Sequence, residues 1–153
     1  MRYLNKIVFI NSAAIRYSEV QLDGNIHLIG TQGVGKSTIL RAILFFYNAD
    51  TQRLGIPVEK KSYQDYYFPY ADSSIIYEVA REDGWFTVLS YKTMNRICYR
   101  FIASPYRPDL FIDEEGAPYP SDRIRSVLDK NGIKYSGVIS TYEAVSYTHL
   151  TLP

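Results

Sequence analysis

Residues 30–38 constrain the fold of this chain more than any other stretch of its 153 residues. They fit the pattern G-x-x-x-x-G-K-[ST], in which a glycine-rich turn is followed by a lysine and a hydroxyl residue. A polyphosphate needs several N–H donors that converge on its oxygens, and the backbone can present them only where side chains leave room for close approach. The pattern therefore predicts a phosphate-binding loop formed by Gly30, Gln32, Gly33, Val34, Gly35, Lys36, Ser37 and Thr38.

The residues at the end of this loop have distinct predicted roles. The ammonium group of Lys36 would reach the β- and γ-phosphates as a mobile point charge. The hydroxyl of Ser37 would complete the shell of a Mg²⁺ ion that otherwise binds water and phosphate oxygens. Thr38 would lie in the first turn of the following helix. The predicted ligand is therefore a nucleoside triphosphate with Mg²⁺.

The flanking sequence supports this interpretation over a glycine-rich turn that merely caps a helix. A short apolar run precedes the loop at residues 26–29, and residues 37–47 are largely apolar without Gly or Pro. These features predict a strand, the loop and a helix in succession. Because Arg41 is the main polar interruption in the helix, we expect the helix to be buried between two layers.

Composition limits the class of protein. The 17 basic and 16 acidic residues nearly cancel, so net charge does not argue for nucleic-acid binding. One cysteine and two histidines leave no internal disulfide and no structural zinc site, and Cys98 is expected to be a small buried apolar residue. No apolar run approaches the roughly 20 residues of a membrane helix, and the N-terminus does not read as a signal peptide. We expect one cytoplasmic domain.

Apolar and alternating runs predict strands on both sides of the loop. The turn signals between them are Asp23-Gly24 before the loop and Glu82-Asp83-Gly84 after it, the latter a strong hairpin signal. The predicted strands are residues 6–10, 18–22, 26–29, 74–80, 85–91 and 97–102.

The last of these strands carries Arg96, Cys98 and Arg100 at alternate positions, opposite a more apolar face. We expect the two arginines to lie on the solvent face of the sheet. They could also contact a DNA backbone, but two arginines on an exposed face do not require that explanation.

The aromatic segment at residues 63–70 has two possible uses. Its rings could stack on a base. The preferred interpretation is that they pack a proline-containing loop onto the sheet.

Asp113 and Glu114 end a short apolar run, as do the carboxylates that hold Mg²⁺ and polarise water in phosphate-loop ATPases. Only three apolar residues precede Asp113, and residues 115–118 turn at once. A hairpin is therefore the preferred interpretation, and no catalytic residue is predicted in this chain.

The remaining sequence predicts a helix at residues 121–130, with Ile124, Val127 and Leu128 on one face, and then a strand region at residues 133–139. Residues 145–153 resemble the translation of a sequencing adapter. We exclude them as a non-native tail, and expect the domain to span residues 1–144.

Two strands, a phosphate loop, an apolar helix and an antiparallel meander resemble the N-terminal lobe of an ABC-type ATPase head of the structural maintenance of chromosomes (SMC) class. The match is best over residues 6–44. Residues 122–128 and 139–143 are similar in placement to the close of the head lobe in MukB-like condensins, a group that includes plasmid-defence ATPases of the Wadjet type. The fold class implied is α/β, with a largely antiparallel sheet and a buried helix after the loop.

This resemblance implies ATP and Mg²⁺ as ligands and a parent ATPase that couples ATP binding and hydrolysis to DNA entrapment or translocation. It also implies a second head in a homodimer, a coiled coil in the parent and accessory condensin-type subunits. In such proteins the signature motif and the catalytic carboxylates lie in a C-terminal lobe, so we expect this chain to be inactive alone. The alternatives are a nuclease-coupled ABC-type ATPase and a compact nucleotide or metabolite kinase.

Overall fold

The structure is a computed structural model that describes residues 3–22, 27–30, 36–46, 63–94 and 96–138. Six strands form one sheet in the order β3-β2-β1-β4-β5-β6, and every neighbouring pair is antiparallel. The predicted antiparallel meander is confirmed, although several strands are longer than expected. The strands are β1 (Tyr3–Ser12), β2 (Ile15–Gln21), β3 (His27–Gly30), β4 (Ser74–Arg81), β5 (Gly84–Thr93) and β6 (Arg96–Ile102).

The described part of the chain also contains three α-helices, which makes the fold mixed α/β. They are α1 (Lys36–Phe46), α2 (Tyr63–Tyr67) and α3 (Ser121–Lys130), with a short 3₁₀ turn at Pro108–Leu110. The helix predicted at residues 121–130 is confirmed at both ends. Its C-terminus is followed by Gly132 at a φ of 68°, a conformation that glycine adopts without steric cost. Within the described residues, no helix is long and apolar enough to span a membrane.

Side chains alternate between the two faces of the sheet and build two separate apolar clusters. In β1, Ile7 and Phe9 belong to one cluster, whereas Val8 and Ile10 belong to the other. We call the face that carries Ile7 and Phe9 the first face, and the opposite one the second face. The sheet is therefore the middle layer of the fold.

The helices cover the two faces separately. On the first face, α1 contributes Ile39 and Ala42, and Tyr67 of α2 joins the same cluster. On the second face, α3 contributes Ile124 and Leu128. The buried side chains of α1 and those of α3 therefore lie on opposite faces of the sheet.

Helix α1 is buried on one side rather than on both. Ile39 and Ala42 are buried against the first face, but Leu40 is 55% exposed. The apolar sequence of the helix predicted burial between two layers. In the described part of the chain, the helix packs against one layer, which is the first face of the sheet. Residues 44–46 continue the helix, but their side chains lie outside the described part of the chain.

The hairpin between β4 and β5 is confirmed. Arg81 pairs with Gly84, so Glu82 and Asp83 form the two-residue turn. Gly84 has a φ of 141°, a value that L-residues rarely adopt. The glycine therefore occupies the first position after the turn, where the backbone conformation favours glycine.

The predicted solvent face of β6 is wrong for Arg100, which is only 5% exposed. Its Nη1 donates a hydrogen bond to the Ser136 carbonyl at 2.7 Å, and its guanidinium lies 5.1 Å from the centre of the Tyr135 ring. The segment after α3 therefore covers this arginine and provides a carbonyl acceptor and an aromatic ring for its guanidinium. Arg100 is thus not available to a DNA backbone. Arg96, at the start of β6, is exposed as predicted.

The strand predicted at residues 133–139 is also wrong over its described part. Residues 133–138 make one isolated bridge, between Tyr135 and Ile102, and no regular strand. Two backbone hydrogen bonds accompany this bridge, from the Ser136 N–H to the Phe101 carbonyl at 2.8 Å and from the Ala103 N–H to the Lys134 carbonyl at 2.9 Å. The Ser136 Oγ also accepts the Phe101 N–H at 2.9 Å. Residue 139 and the excluded tail at 145–153 lie outside the described residues.

Candidate nucleotide-binding site

The two ends of the predicted phosphate loop lie where the sequence pattern requires them. Strand β3 ends at Gly30, and helix α1 begins at Lys36. The residues between them, including Gln32, Gly33, Val34 and Gly35, lie outside the described part of the chain. The structure thus contains the strand and the helix that a loop of this class connects.

The start of α1 offers backbone donors to an anion. The first four N–H groups of any helix lack intrahelical partners, and the helix dipole makes that end positive. No acidic side chain lies in the first turn of this helix. The N-terminus of α1 therefore has the polarity that favours an anion. The side chains of Lys36 and Ser37, which would meet the phosphates and Mg²⁺, lie outside the described residues.

Two buried tyrosines, one in α2 and one in β4, donate hydrogen bonds to α1. The Tyr67 hydroxyl donates to the Thr38 carbonyl at 3.0 Å, and the Tyr77 hydroxyl donates to the Ala42 carbonyl at 3.2 Å. Both tyrosines are 0% exposed. The two carbonyls lie four residues apart, so each bond holds a different turn of the helix. Sequence reasoning missed both contacts, because a backbone acceptor has no residue-type signature.

The aromatic segment packs onto the sheet. Tyr67 and Phe68 are fully buried in the cluster of the first face, and the Tyr66 and Tyr67 rings meet edge to face with their centres 4.9 Å apart. Tyr70 is 63% exposed. The packing interpretation is confirmed for Tyr67 and Phe68, with the difference that the segment begins as a short helix rather than a loop.

Asp113 occupies a tight turn, as the hairpin interpretation predicted. Ile112 bridges to Pro118, and Asp113 Oδ1 accepts the N–H groups of Glu115 and Ala117, both at 2.9 Å. Phe111, two residues earlier, packs in the cluster of the second face. The structure therefore does not bring Asp113 together with α1, which lies on the first face.

A polar network that sequence reasoning also missed lies on the second face. Glu78 is 6% exposed, and its carboxylate accepts hydrogen bonds from Asn5 Nδ2 and the Tyr106 N–H, both at 2.7 Å. A buried carboxylate needs such donors to offset its loss of hydration. Glu78 thereby links β4 to β1 and to the segment after β6.

Tyr106 extends this network to β2. The Tyr17 hydroxyl donates to Glu19 Oε2 at 2.9 Å, so in the 2.8 Å contact between the two tyrosine hydroxyls Tyr106 is the donor. Lys6 also belongs to this network, since its Nζ lies 3.3 Å from Glu19 Oε1. Burial raises the pKa of Tyr17 to about 12. The network joins secondary-structure elements, and nothing in its geometry indicates a ligand.

Metal coordination is not evident elsewhere in the described chain. Among its residues, no group of three or more His, Cys, Asp or Glu side chains is placed to hold a metal ion. Cys98 is buried, as predicted, and burial raises the pKa of its thiol. The Ser37 hydroxyl, which is the Mg²⁺ ligand predicted in this chain, stays a prediction.

Comparison with known proteins identifies one family. No curated protein and no solved structure matches the chain. A family described as "Protein of unknown function (DUF3584)" matches residues 11–145, which include both flanks of the phosphate loop, all of α1 and all of α3. The chain therefore belongs to the DUF3584 family.

Proposed function

We propose that this chain is the ATP-binding N-terminal lobe of an SMC-like ATPase head. One observation carries the proposal: a G-x-x-x-x-G-K-S motif joins a strand that ends at Gly30 to a helix that begins at Lys36. In this account the loop and the N-terminus of α1 bind the phosphates of ATP through backbone N–H groups.

Three further observations support the SMC-like assignment over other phosphate-loop proteins. Two antiparallel strands, β1 and β2, precede the loop strand, and the rest of the sheet is an antiparallel meander. Membership of the DUF3584 family is loosely consistent with an SMC-like protein. The exposed Leu40 on the outer side of α1 fits a head in which a second lobe covers this helix.

The chemistry proposed for this lobe is nucleotide positioning. Lys36 would bind the β- and γ-phosphates, and the Ser37 hydroxyl would hold Mg²⁺, which supplies charge neutralisation when it is bound. Residues that orient water and stabilise the transition state would come from a C-terminal lobe and a second head. The parent protein would form a homodimer, with accessory subunits, and would couple ATP binding and hydrolysis to DNA entrapment or translocation.

Asp113 provides a test between this split head and a compact, self-contained ATPase or kinase. In the intact protein, we expect Asp113→Asn to leave the ATP turnover rate unchanged within about twofold. The reason is that the Asp113 side chain accepts two backbone N–H bonds of its own turn, and an asparagine oxygen can still accept them. Steady-state phosphate release measures the rate, and Glu114→Gln in the same turn is the matched control.

A turnover rate that fell at least about tenfold in Asp113→Asn but not in Glu114→Gln would identify Asp113 as a catalytic carboxylate. The split-head account would then be wrong. The intact reading frame gives a second check, since we expect heptad coiled coil soon after residue 143 and, far downstream, an ABC signature followed by an apolar strand that ends in Asp-Glu.

A further inference from the structure

The first turn of α1 is held by one hydroxyl from another helix. Tyr67, the last residue of α2, donates to the Thr38 carbonyl at 3.0 Å. Thr38 is the third residue of α1, directly after the lysine and serine of the phosphate-loop motif. The bond therefore fixes the end of the helix that faces the predicted nucleotide.

The chemistry of this hydroxyl suits a permanent hydrogen-bond donor. Tyr67 is 0% exposed, and burial raises the pKa of its hydroxyl well above the usual range. The hydroxyl therefore stays protonated at neutral pH and can donate continuously. Arg41, one turn along α1, lies beside this hydroxyl and lowers its pKa, but burial is the larger effect.

Tyr67 is itself held firmly in place. Phe68, the next residue, is fully buried in the cluster of the first face. Asp65 of α2 forms an ion pair with Lys92 of β5, with Oδ1 and Nζ 3.5 Å apart. Because Tyr67 and Phe68 are both buried in this cluster, packing sets the position from which the Tyr67 hydroxyl reaches α1.

We propose that Tyr67 is a positioning residue for the nucleotide site, which acts through the Thr38 carbonyl on the first turn of α1. This inference rests on the proposed function, because it needs a nucleotide at that end of the helix. Phosphate binding through backbone N–H groups depends on their orientation, and a preorganised set loses less free energy on binding than a mobile one. Loss of the Tyr67 hydroxyl should therefore weaken nucleotide binding without removing any group that touches the ligand.

Tyr77 is the matched control within the same chain. It is also 0% exposed and donates through its hydroxyl to a carbonyl of α1, but that carbonyl belongs to Ala42, one turn further from the loop. A substitution to phenylalanine at either site removes one hydroxyl and keeps the ring. The two variants should lose similar stability, whereas only Tyr67→Phe should loosen the first turn.

The experiment compares nucleotide affinity and stability in the intact protein. Fluorescent ATP is titrated into the unsubstituted protein, Tyr67→Phe, Tyr77→Phe and Lys36→Ala in the presence of Mg²⁺, and thermal unfolding of each is followed without nucleotide. We expect Tyr67→Phe to weaken ATP binding about fivefold, which corresponds to the net free energy of one hydrogen bond. We expect Tyr77→Phe to change the affinity less than about twofold. Replacing Tyr67 with 4-aminophenylalanine, which keeps a donor at the same position, should restore most of the affinity.

A second measurement needs no substitution and remains informative if Tyr67→Phe does not fold. Tyrosines labelled with ¹³C at the ring carbon that bears the hydroxyl report its hydrogen bond. We expect the Tyr67 signal to shift on addition of ATP and Mg²⁺ and the Tyr77 signal to stay in place.

The outcomes separate this inference from the proposed function. If Lys36→Ala abolishes binding while Tyr67→Phe and Tyr77→Phe bind ATP equally well, Tyr67 only packs the helix and the inference is wrong. An unshifted Tyr67 signal at saturating ATP would contradict it in the same way. If Lys36→Ala binds ATP as the unsubstituted protein does, the proposed function itself fails.

Discussion

Phe111→Ala is expected to lower the free energy of unfolding by about 3–5 kcal/mol, the usual cost of removing a buried aromatic side chain. Phe111 is 1% exposed and lies in the cluster of the second face with Ile124 and Leu128 of α3. Its ring stacks on that of Tyr106, with the centres 5.6 Å apart and the planes 12° from parallel. The substitution would leave a cavity between the sheet and α3 that neither can readily fill.

Urea unfolding followed by circular dichroism measures this loss, with Tyr70→Ala as the control. Tyr70 is 63% exposed, so its replacement should change stability by less than about 0.5 kcal/mol. Because small domains are stable by only about 5–15 kcal/mol, Phe111→Ala should be close to unfolding at 37 °C. Equal midpoints for the two variants would show that the segment after β6 does not pack against the second face.

Alkaline unfolding is the second large effect expected. Burial raises the pKa of several tyrosine hydroxyls, in the case of Tyr17 to about 12. The hydroxyls affected are those of Tyr17, Tyr67, Tyr91, Tyr99 and Tyr106.

The sign of the effect follows from proton linkage. An unfolded tyrosine has a pKa of about 10, so the folded state keeps protons that the unfolded state releases above that pH. The stabilisation from these groups is complete below pH 10 and is lost as pH rises through the folded pKa values. We therefore expect stability to be flat between about pH 8 and 10 and to fall steeply by pH 12.

Absorbance at 295 nm, which follows tyrosine ionisation, and circular dichroism at 222 nm test this expectation together. The chain has 15 tyrosines, and in an unfolded chain each ionises near pH 10. The buried ones should ionise only as the circular dichroism signal collapses, and return to pH 8 should reverse both changes. Ionisation of every tyrosine near pH 10 with unchanged secondary structure would contradict the burial described for them.

Local pattern was enough to predict most of the sheet and all of α3. The residues Glu82-Asp83-Gly84 favour a tight turn by their own conformational preferences, so the hairpin could be predicted locally. The predicted ends of α3 agree with Ser121–Lys130. The start of β2 was less predictable. It begins at Ile15, after a two-residue turn in which Ala13 has a φ of 52°. Alanine carries no turn signal, so the expected strand began three residues too late.

Contacts between distant parts of the chain could not be predicted from pattern. Alternation assigned Arg100 to solvent because its type is usually exposed. Its burial depends on the Ser136 carbonyl and the Tyr135 ring, which lie about 35 residues later in the chain. Glu78 was missed for the same reason, since its donors come from Asn5 and Tyr106.

The candidate site also combines features that a local pattern predicts with contacts between distant residues that it does not predict. The phosphate-loop motif is a contiguous pattern of residue types, so the strand before it and the helix after it could be predicted. The hydroxyls of Tyr67 and Tyr77 reach backbone carbonyls 29 and 35 residues away. Any residue supplies such a carbonyl, and therefore only the fold shows which tyrosine holds which turn of the helix.

The most direct test of the central proposal is a titration of labelled ATP, with Mg²⁺, into the intact protein and its Lys36→Ala variant. Lys134→Ala is the control, because Lys134 is an exposed lysine after α3 and its side chain has no predicted part in the site. Removal of the charge aimed at the β- and γ-phosphates should cost about 1.5–3 kcal/mol, which is roughly a 10- to 100-fold loss of affinity. We predict that loss for Lys36→Ala and unchanged affinity for Lys134→Ala. Equal affinity of all three proteins for ATP would contradict the phosphate-loop assignment and the ATP-binding function proposed for this chain.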